Sequence, residues 1–171
     1  VNPRRFFIEY FNVLVDGFSN EYEWVGLDNF AKDHDNLAKA QNDRRLYRSW
    51  LGYSHLPPTD MFGFGSNAVT DLRAMCVQNH LQPEPWHASI ENGQFPTRGG
   101  IHLRDEHRLK RNAIRELMCN GEVADYSALM NSDEATEQKW SGYADDGLLS
   151  ITPEGMSLTA QGRYLMPHLL N

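Results

Sequence analysis

Residues 105–121 read DEHRLKRNAIRELMCNG. Leu109, Ala113 and Leu117 recur every four residues, and Ile114 and Met118 stand beside them. That spacing lays an apolar stripe along one side of a helix over Asp105–Met118. It leaves Arg108, Lys110, Arg111 and Arg115 on the solvated side, with Asp105, Glu106 and Glu116 among them. Asp105 is the expected cap. Asn120-Gly121 is the expected stop, because glycine takes the left-handed backbone that closes a helix.

Downstream, Asp133–Asp146 reads as a second helix capped by Ser132, with few apolar residues: Ala135, Trp140 and Tyr143. Gly147–Thr152 reads as a strand, Pro153-Glu154-Gly155 as a turn and Met156-Ser157-Leu158 as the return arm. Thr159 is placed to cap a last helix through Arg163, Tyr164 and Leu165 toward Leu170. Helix, helix, hairpin, helix in this order resembles a winged-helix arrangement. Residues 96–171 are therefore assigned to a mostly helical carboxy-terminal domain, with a boundary near Phe95.

Upstream the texture is mixed. Phe6–Val15 carries Phe7, Phe11 and Leu14 at helical spacing, and Asp16-Gly17 is expected to end that helix. Tyr22–Phe30 is bulky and reads as one short buried strand, Asp33–Tyr47 as a helix with Leu37, Ala40 and Arg44 on one face and Asp33 or Asp35 as cap. Pro57-Pro58 enforces an extended connection. Met61–Gly65 reads as a strand whose glycines mark a bulge or the close approach of a ligand or a second backbone. Cys76–Asn79 reads as a hairpin arm, Pro83 or Pro85 opens a helix that stops at Asn92-Gly93, and Thr97–Ile101 reads as a loop. The fold class expected is α+β.

The composition excludes several function classes. Sixteen Lys and Arg against 23 Asp and Glu give a net charge of −7. Phosphate binding needs clustered positive charge, so no nucleic-acid partner is expected. From Ile101 onward seven basic residues face eleven acidic ones, and the helix before the hairpin carries Asp133, Glu134, Glu137, Asp145 and Asp146 against Lys139. No run of 18 apolar residues occurs, so no membrane partner is expected. The two cysteines, Cys76 and Cys119, are read as thiols of a reducing cytoplasm, with Cys119 a small core residue.

Chemistry-bearing motifs are scarce. Of the seven histidines (34, 55, 80, 87, 102, 107 and 168), none forms an i, i+4 pair around a Glu. Gly63-Phe64-Gly65-Ser66-Asn67-Ala68 lacks the third glycine of a dinucleotide loop. No metal site and no catalytic residue is assigned.

The order of segments, however, resembles oxygen-independent coproporphyrinogen III oxidases of the radical SAM class. Val25–Ala31 (VGLDNFA) is similar to the family's IGMDHFA. Trp50–Ser54 (WLGYS) is similar to FQGYT, and Asp60–Val69 (DMFGFGSNAV) to DLLGMGVSAI. Gln78-Asn79 matches AQN, Arg98-Gly99 with Leu103 matches RGxxL, and Arg111, Ile114 and Leu117–Asn120 match RRxxIxxLxCN. Asp146-Gly147-Leu148 and Thr152 to Gly162-Arg163 match the closing DGLV…VTxxGR.

This resemblance implies that residues 1–95 are the end of a partial (β/α) barrel and its linker. It implies a [4Fe–4S] cluster on a CxxxCxxC motif and S-adenosylmethionine in the intact protein, with a porphyrinogen as substrate for oxidative decarboxylation in heme biosynthesis. The chain itself lacks the cysteine motif, so it is expected to hold no cofactor and to be inactive alone. The family positions beside S-adenosylmethionine fall on Trp50, Leu51 and Val69. Phe to Trp keeps an aromatic surface, whereas Gln to Leu at 51 removes an amide that Leu cannot replace. A heme-binding or heme-transfer paralogue without oxidase activity, or a non-catalytic winged-helix module, are the alternatives. Packing alone would make Trp50 a core anchor and Val69 a strand residue. Exposed barrel edges would favour a homodimer.

Overall fold

A computed structural model describes the backbone of residues 3–18, 20–57, 59–130 and 133–169, and their side chains except those of 3–8, 167 and 168. Pro58, Ser132 and Leu170, and the side chains of Phe6, Phe7 and His168, lie outside the described residues. The chain begins with α1 (Pro3–Phe18), β1 (Glu23–Gly26), β2 (Asn29–Ala31), α2 (Asn36–Asn42), β3 (Tyr47–Ser49) and β4 (Gly52–Ser54). Then follow β5 (Val69–Asp71), β6 (Met75–Asn79), α3 (Pro83–Glu91) and β7 (Thr97–His102). It continues with α4 (Asp105–Asn120), β8 (Glu122–Val123), α5 (Ser127–Met130), α6 (Glu134–Asp145), β9 (Leu149–Thr152), β10 (Gly155–Leu158) and α7 (Ala160–Leu169). The expected α+β class is what is found.

Every strand pairing among the described residues is antiparallel. A barrel of (β/α) units needs parallel strands joined by long crossovers. Here β1–β2 and β3–β4 are joined by two residues each, too few for a crossover, and form separate hairpins.

Two compact units result: one holds the chain up to Pro57 together with everything from Leu109 onward, the other the stretch between them. The boundary expected near Phe95 falls inside the smaller unit, between α3 and β7. There β6 is the central strand, flanked by β5 and β7. Thr97–Ile101, expected as a loop, lies in β7, although two glycines weaken a strand. It pairs along β6 nonetheless, and a Cβ on Gly100 would lie 2.7 Å from the Cys76 carbonyl oxygen, so the close pairing needs glycine there. Met61–Gly65, expected as a strand, contributes only an isolated bridge from Met61 to Asp71. α3 starts at Pro83 and ends as read, with Gly93 at φ 67°.

The larger unit has two apolar clusters. Ala113 and Leu117 of α4 join Val123, Leu129, Trp140, Leu149, Met156 and Leu169, and β8, β10 and β9 form a three-stranded sheet beside them. Val25, Ala31, Ala38, Ala40, Leu46 and Cys119 form the second cluster. Leu109, expected in the first row, is instead exposed.

Local chemistry explains most element ends. Asp35 caps α2 by accepting from Leu37 N at 2.7 Å, and Asp133 caps α6 by accepting from Thr136 N at 2.8 Å. α2 stops at Asn42, short of the expected Tyr47, and Arg44 turns left-handed at φ 55°. The single strand expected over Tyr22–Phe30 is the β1–β2 hairpin, with Leu27 at φ 47° in its turn. α1 runs through Gly17 to Phe18. Phe11 of that helix meets Trp24 and Tyr164 at ring distances of 5.4 and 5.8 Å.

Leu117 is wholly buried and Leu109 is not, which makes a matched pair on one helix. Leu117→Ala is expected to lose about 2–5 kcal/mol in urea unfolding, and Leu109→Ala to stay within about 0.5 kcal/mol.

Candidate functional site

The β3–β4 hairpin carries the residues that the sequence singles out. Its register sets Tyr47 opposite Ser54, Arg48 opposite Tyr53 and Ser49 opposite Gly52. Trp50 and Leu51 are the two turn residues. The turn is closed by Ser49 Oγ, which accepts from Leu51 N at 3.1 Å, and by Gly52 at φ 120°. Trp50 is 65% exposed and Leu51 88% exposed. The packing reading of Trp50 as a core anchor is thereby corrected: a turn residue on a two-residue loop points away from the layer beneath it.

Tyr53 anchors the hairpin. Its hydroxyl donates to the Met118 carbonyl at the end of α4, at 3.0 Å. Any side chain at Gly26 would collide with Tyr53 Oη, so the close approach of hairpin and β1 requires glycine at that position in this fold. Over the ring's face the Arg48 guanidinium sits 4.8 Å from the centroid. A second arginine, Arg163 of α7, lies 4.5 Å from the Trp24 ring and donates from Nη2 to the Trp24 carbonyl at 3.2 Å. Trp24 stacks on Tyr164 at 5.2 Å and donates from Nε1 to Leu27 O at 2.7 Å. Arg44 and Arg45 pair with Glu122 and Asp43, whereas Arg48 and Arg163 have no carboxylate partner among the described residues.

Burial dominates the electrostatics. It pushes the Tyr53 hydroxyl well above its ordinary 10.0, opposed chiefly by Arg48. It pushes the Cys119 thiol from 9.0 to about 11, opposed by Arg48 and Arg115. Both groups are therefore neutral at physiological pH, and Cys119 is the small core residue expected of it.

Val69 belongs to the smaller unit. It is half-buried on β5, opposite Gln78. The glycine loop before it folds onto it: a Cβ on Gly63 would lie 2.6 Å from the Val69 carbonyl oxygen. This is the close approach of a second backbone that the glycines suggested. Asn79 Nδ2 donates to Gly65 O at 2.8 Å and pins the loop, leaving Phe62 and Phe64 exposed. Trp50 and Leu51 are thus neighbours on one turn, and Val69 stands in the other unit. Sequence reading missed Arg48, Tyr53 and Arg163. The available signal was a hairpin register in which Arg48 and Tyr53 are directly opposed, legible only once Trp50-Leu51 is taken as a two-residue turn.

No family model matches the chain. Among individual proteins, the chain is 31% identical over 152 residues to an oxygen-independent coproporphyrinogen III oxidase of Pseudomonas aeruginosa, covering 85% of this chain and 33% of that protein. It is 32% identical over 162 residues to the one of Thermostichus vulcanus, covering 88% and 49%. Among solved structures, coproporphyrinogen III oxidase from Escherichia coli, a radical SAM enzyme, matches with a TM-score of 0.80 at 26% identity, over 95% of this chain and 39% of that one. In sequence and in fold the chain is a relative of a radical SAM enzyme. More particularly, it corresponds to the carboxy-terminal portion of the oxygen-independent coproporphyrinogen III oxidases, and it spans between a third and a half of the length of these relatives.

The iron–sulfur cluster that this class implies does not fit the residues present. Three thiolates are needed, whereas the chain has two cysteines, one in each unit, and Cys119 is sealed in the core. Among the described residues no group of three His, Cys, Asp or Glu is placed to hold a metal ion. Among them, too, no helix is long and apolar enough to cross a membrane.

The raised values give a pH dependence with a definite sign. A buried acid with a raised folded pKa favours the neutral form, so its stabilisation is complete below the unfolded value and is lost as pH climbs past it. Thermal stability is expected to fall as pH rises from 9 toward 11, less steeply in Cys119→Ala. Thiol trapping at pH 8 should label Cys76 in the native protein and Cys119 only after unfolding.

Proposed function

We propose that the chain works as the carboxy-terminal part of an oxygen-independent coproporphyrinogen III oxidase-like enzyme, whose remaining length supplies the iron–sulfur cluster and the radical chemistry. The observation that carries this is the collinear similarity over 85% or more of the chain to proteins of that name. In this reading a porphyrinogen is the substrate, and decarboxylation of its propionates to vinyls is the reaction. S-adenosylmethionine would supply the radical when bound. This chain's own part is to present Trp50 and Leu51 to it: Trp50 offers an aromatic face and Leu51 an aliphatic one. The similar proteins are named as oxidases, which does not favour a heme-transfer paralogue.

The stretch from α4 to α7 we read as winged-helix-like. Its support is the order α4-β8-α5-α6-β9-β10-α7 with sheet order β8-β10-β9. The acidic side chains of α6, Glu134, Glu137 and Asp145 against Lys139, support a packing role over nucleic-acid docking.

The test uses the full-length protein, reduced and anaerobic, with coproporphyrinogen III and S-adenosylmethionine. Formation of 5′-deoxyadenosine together with porphyrinogens bearing fewer carboxylates is the expected result. Neither product, from a protein whose cluster is spectroscopically intact, overturns the reading.

A further inference from the structure

Arg48 is unusual for a half-buried cation. It is not fully solvated, yet it has no hydrogen-bond acceptor and no carboxylate partner among the described residues. Its one described contact is the ring of Tyr53, its cross-strand neighbour. Stacking on a ring occupies the face of a guanidinium and leaves its N–H edges free. Those edges form a planar fork that matches the two oxygens of a carboxylate. The fork is also held still. Tyr53 is tied through its hydroxyl to the α4 carbonyl and is packed against Gly26, so Arg48 rests on a fixed platform.

The surroundings narrow the ligand. Two residues along the chain, Trp50 and Leu51 expose apolar surface at the turn. Arg163 adds a second cation that acts on Tyr53. An apolar tip beside an unsatisfied cation complements a molecule that joins an apolar body to a carboxylate. The chain as a whole carries a charge of −7, so an anionic ligand is drawn here only by local positive edges.

We infer that Arg48, stacked on Tyr53 beside Trp50-Leu51, is a binding residue for a ligand carboxylate. Resting on the function proposed above, that carboxylate is a propionate of the porphyrinogen or the amino-acid carboxylate of S-adenosylmethionine. Nothing in the fold requires the cation itself. The ring beneath it is already anchored by its own hydroxyl, so Arg48 is spared for recognition.

The experiment uses the full-length protein, its Arg48→Gln and Arg48→Lys variants, and three probes: coproporphyrin III, its tetramethyl ester, and S-adenosylhomocysteine. Affinities are read by fluorescence quenching for the porphyrins and by calorimetry for the nucleoside. Thermal melts check that the variants fold, and Arg48→Lys, which keeps the charge, serves if Arg48→Gln does not. Arg48→Gln is expected to weaken coproporphyrin III about tenfold or more while leaving the ester unchanged, with Arg48→Lys in between. A loss confined to S-adenosylhomocysteine supports the same site with the carboxylate coming from the nucleoside. Unchanged affinity for both carboxylates overturns the inference, as does an equal loss for acid and ester, which marks a packing role. Wild-type turnover with an unaltered Arg48→Gln sinks this inference alone. A wild-type protein that binds neither carboxylate and forms no 5′-deoxyadenosine sinks the proposed function with it.

Discussion

The last turn of α4 holds the larger unit together. A helix ends with carbonyls that have no partner inside it, and they must find one. Here two of them find segments far away in the chain. The Leu117 carbonyl accepts from Gly121 N at 3.0 Å, the Met118 carbonyl from Tyr53 Oη at 3.0 Å, and the Cys119 carbonyl from Gln41 Nε2 at 3.4 Å. Gln41 Nε2 also donates to Val25 O at 2.6 Å, so one amide links α2, β1 and α4. Gly121 O then accepts from Leu158 N at 2.7 Å, which attaches β10. Side chains follow the same division: Leu117 enters the cluster with Trp140 and Met156, and Cys119 two residues later enters the cluster with Val25 and Ala38. One helix terminus thereby feeds both cores, and two segments far apart in sequence become one unit.

This placement explains what the sequence could tell. α4 was legible because its apolar period, its acidic start and Asn120-Gly121 all agree, and Gly121 does adopt φ 73°. The β9–β10 hairpin was legible for the same reason, with Pro153-Glu154 marking its turn. The errors share a cause: the deciding partner was distant. Gly99-Gly100 reads as loop until β6 lies beside it, and Tyr22–Phe30 reads as one strand because nothing local announces a non-glycine residue, Leu27, in the left-handed region. In α6 the cap read as Ser132 lies outside the described residues, and Asp133 performs that role.

The candidate site divides along the same line. Trp50 and Leu51 were reachable through resemblance, since a pair of large apolar residues before Gly-Tyr has no local reason to be exposed. Arg48 was not reachable that way. Its significance comes from the register that sets it over Tyr53, and a one-residue slip would have turned it to the opposite face.

The exposure of Leu51 bears on what this turn can recognise. An amide at this turn would be solvated equally well with or without a ligand. A leucine 88% exposed has no polar contact to make, and it gains only when something apolar covers it. A leucine at this tip thus favours contact by shape and apolar area over hydrogen-bonded recognition. Directional information is then left to the charged group on the same hairpin, the guanidinium resting on Tyr53. The exposed leucine and the arginine three positions earlier in the hairpin are in this sense one arrangement: the tip supplies area, and the arginine supplies orientation.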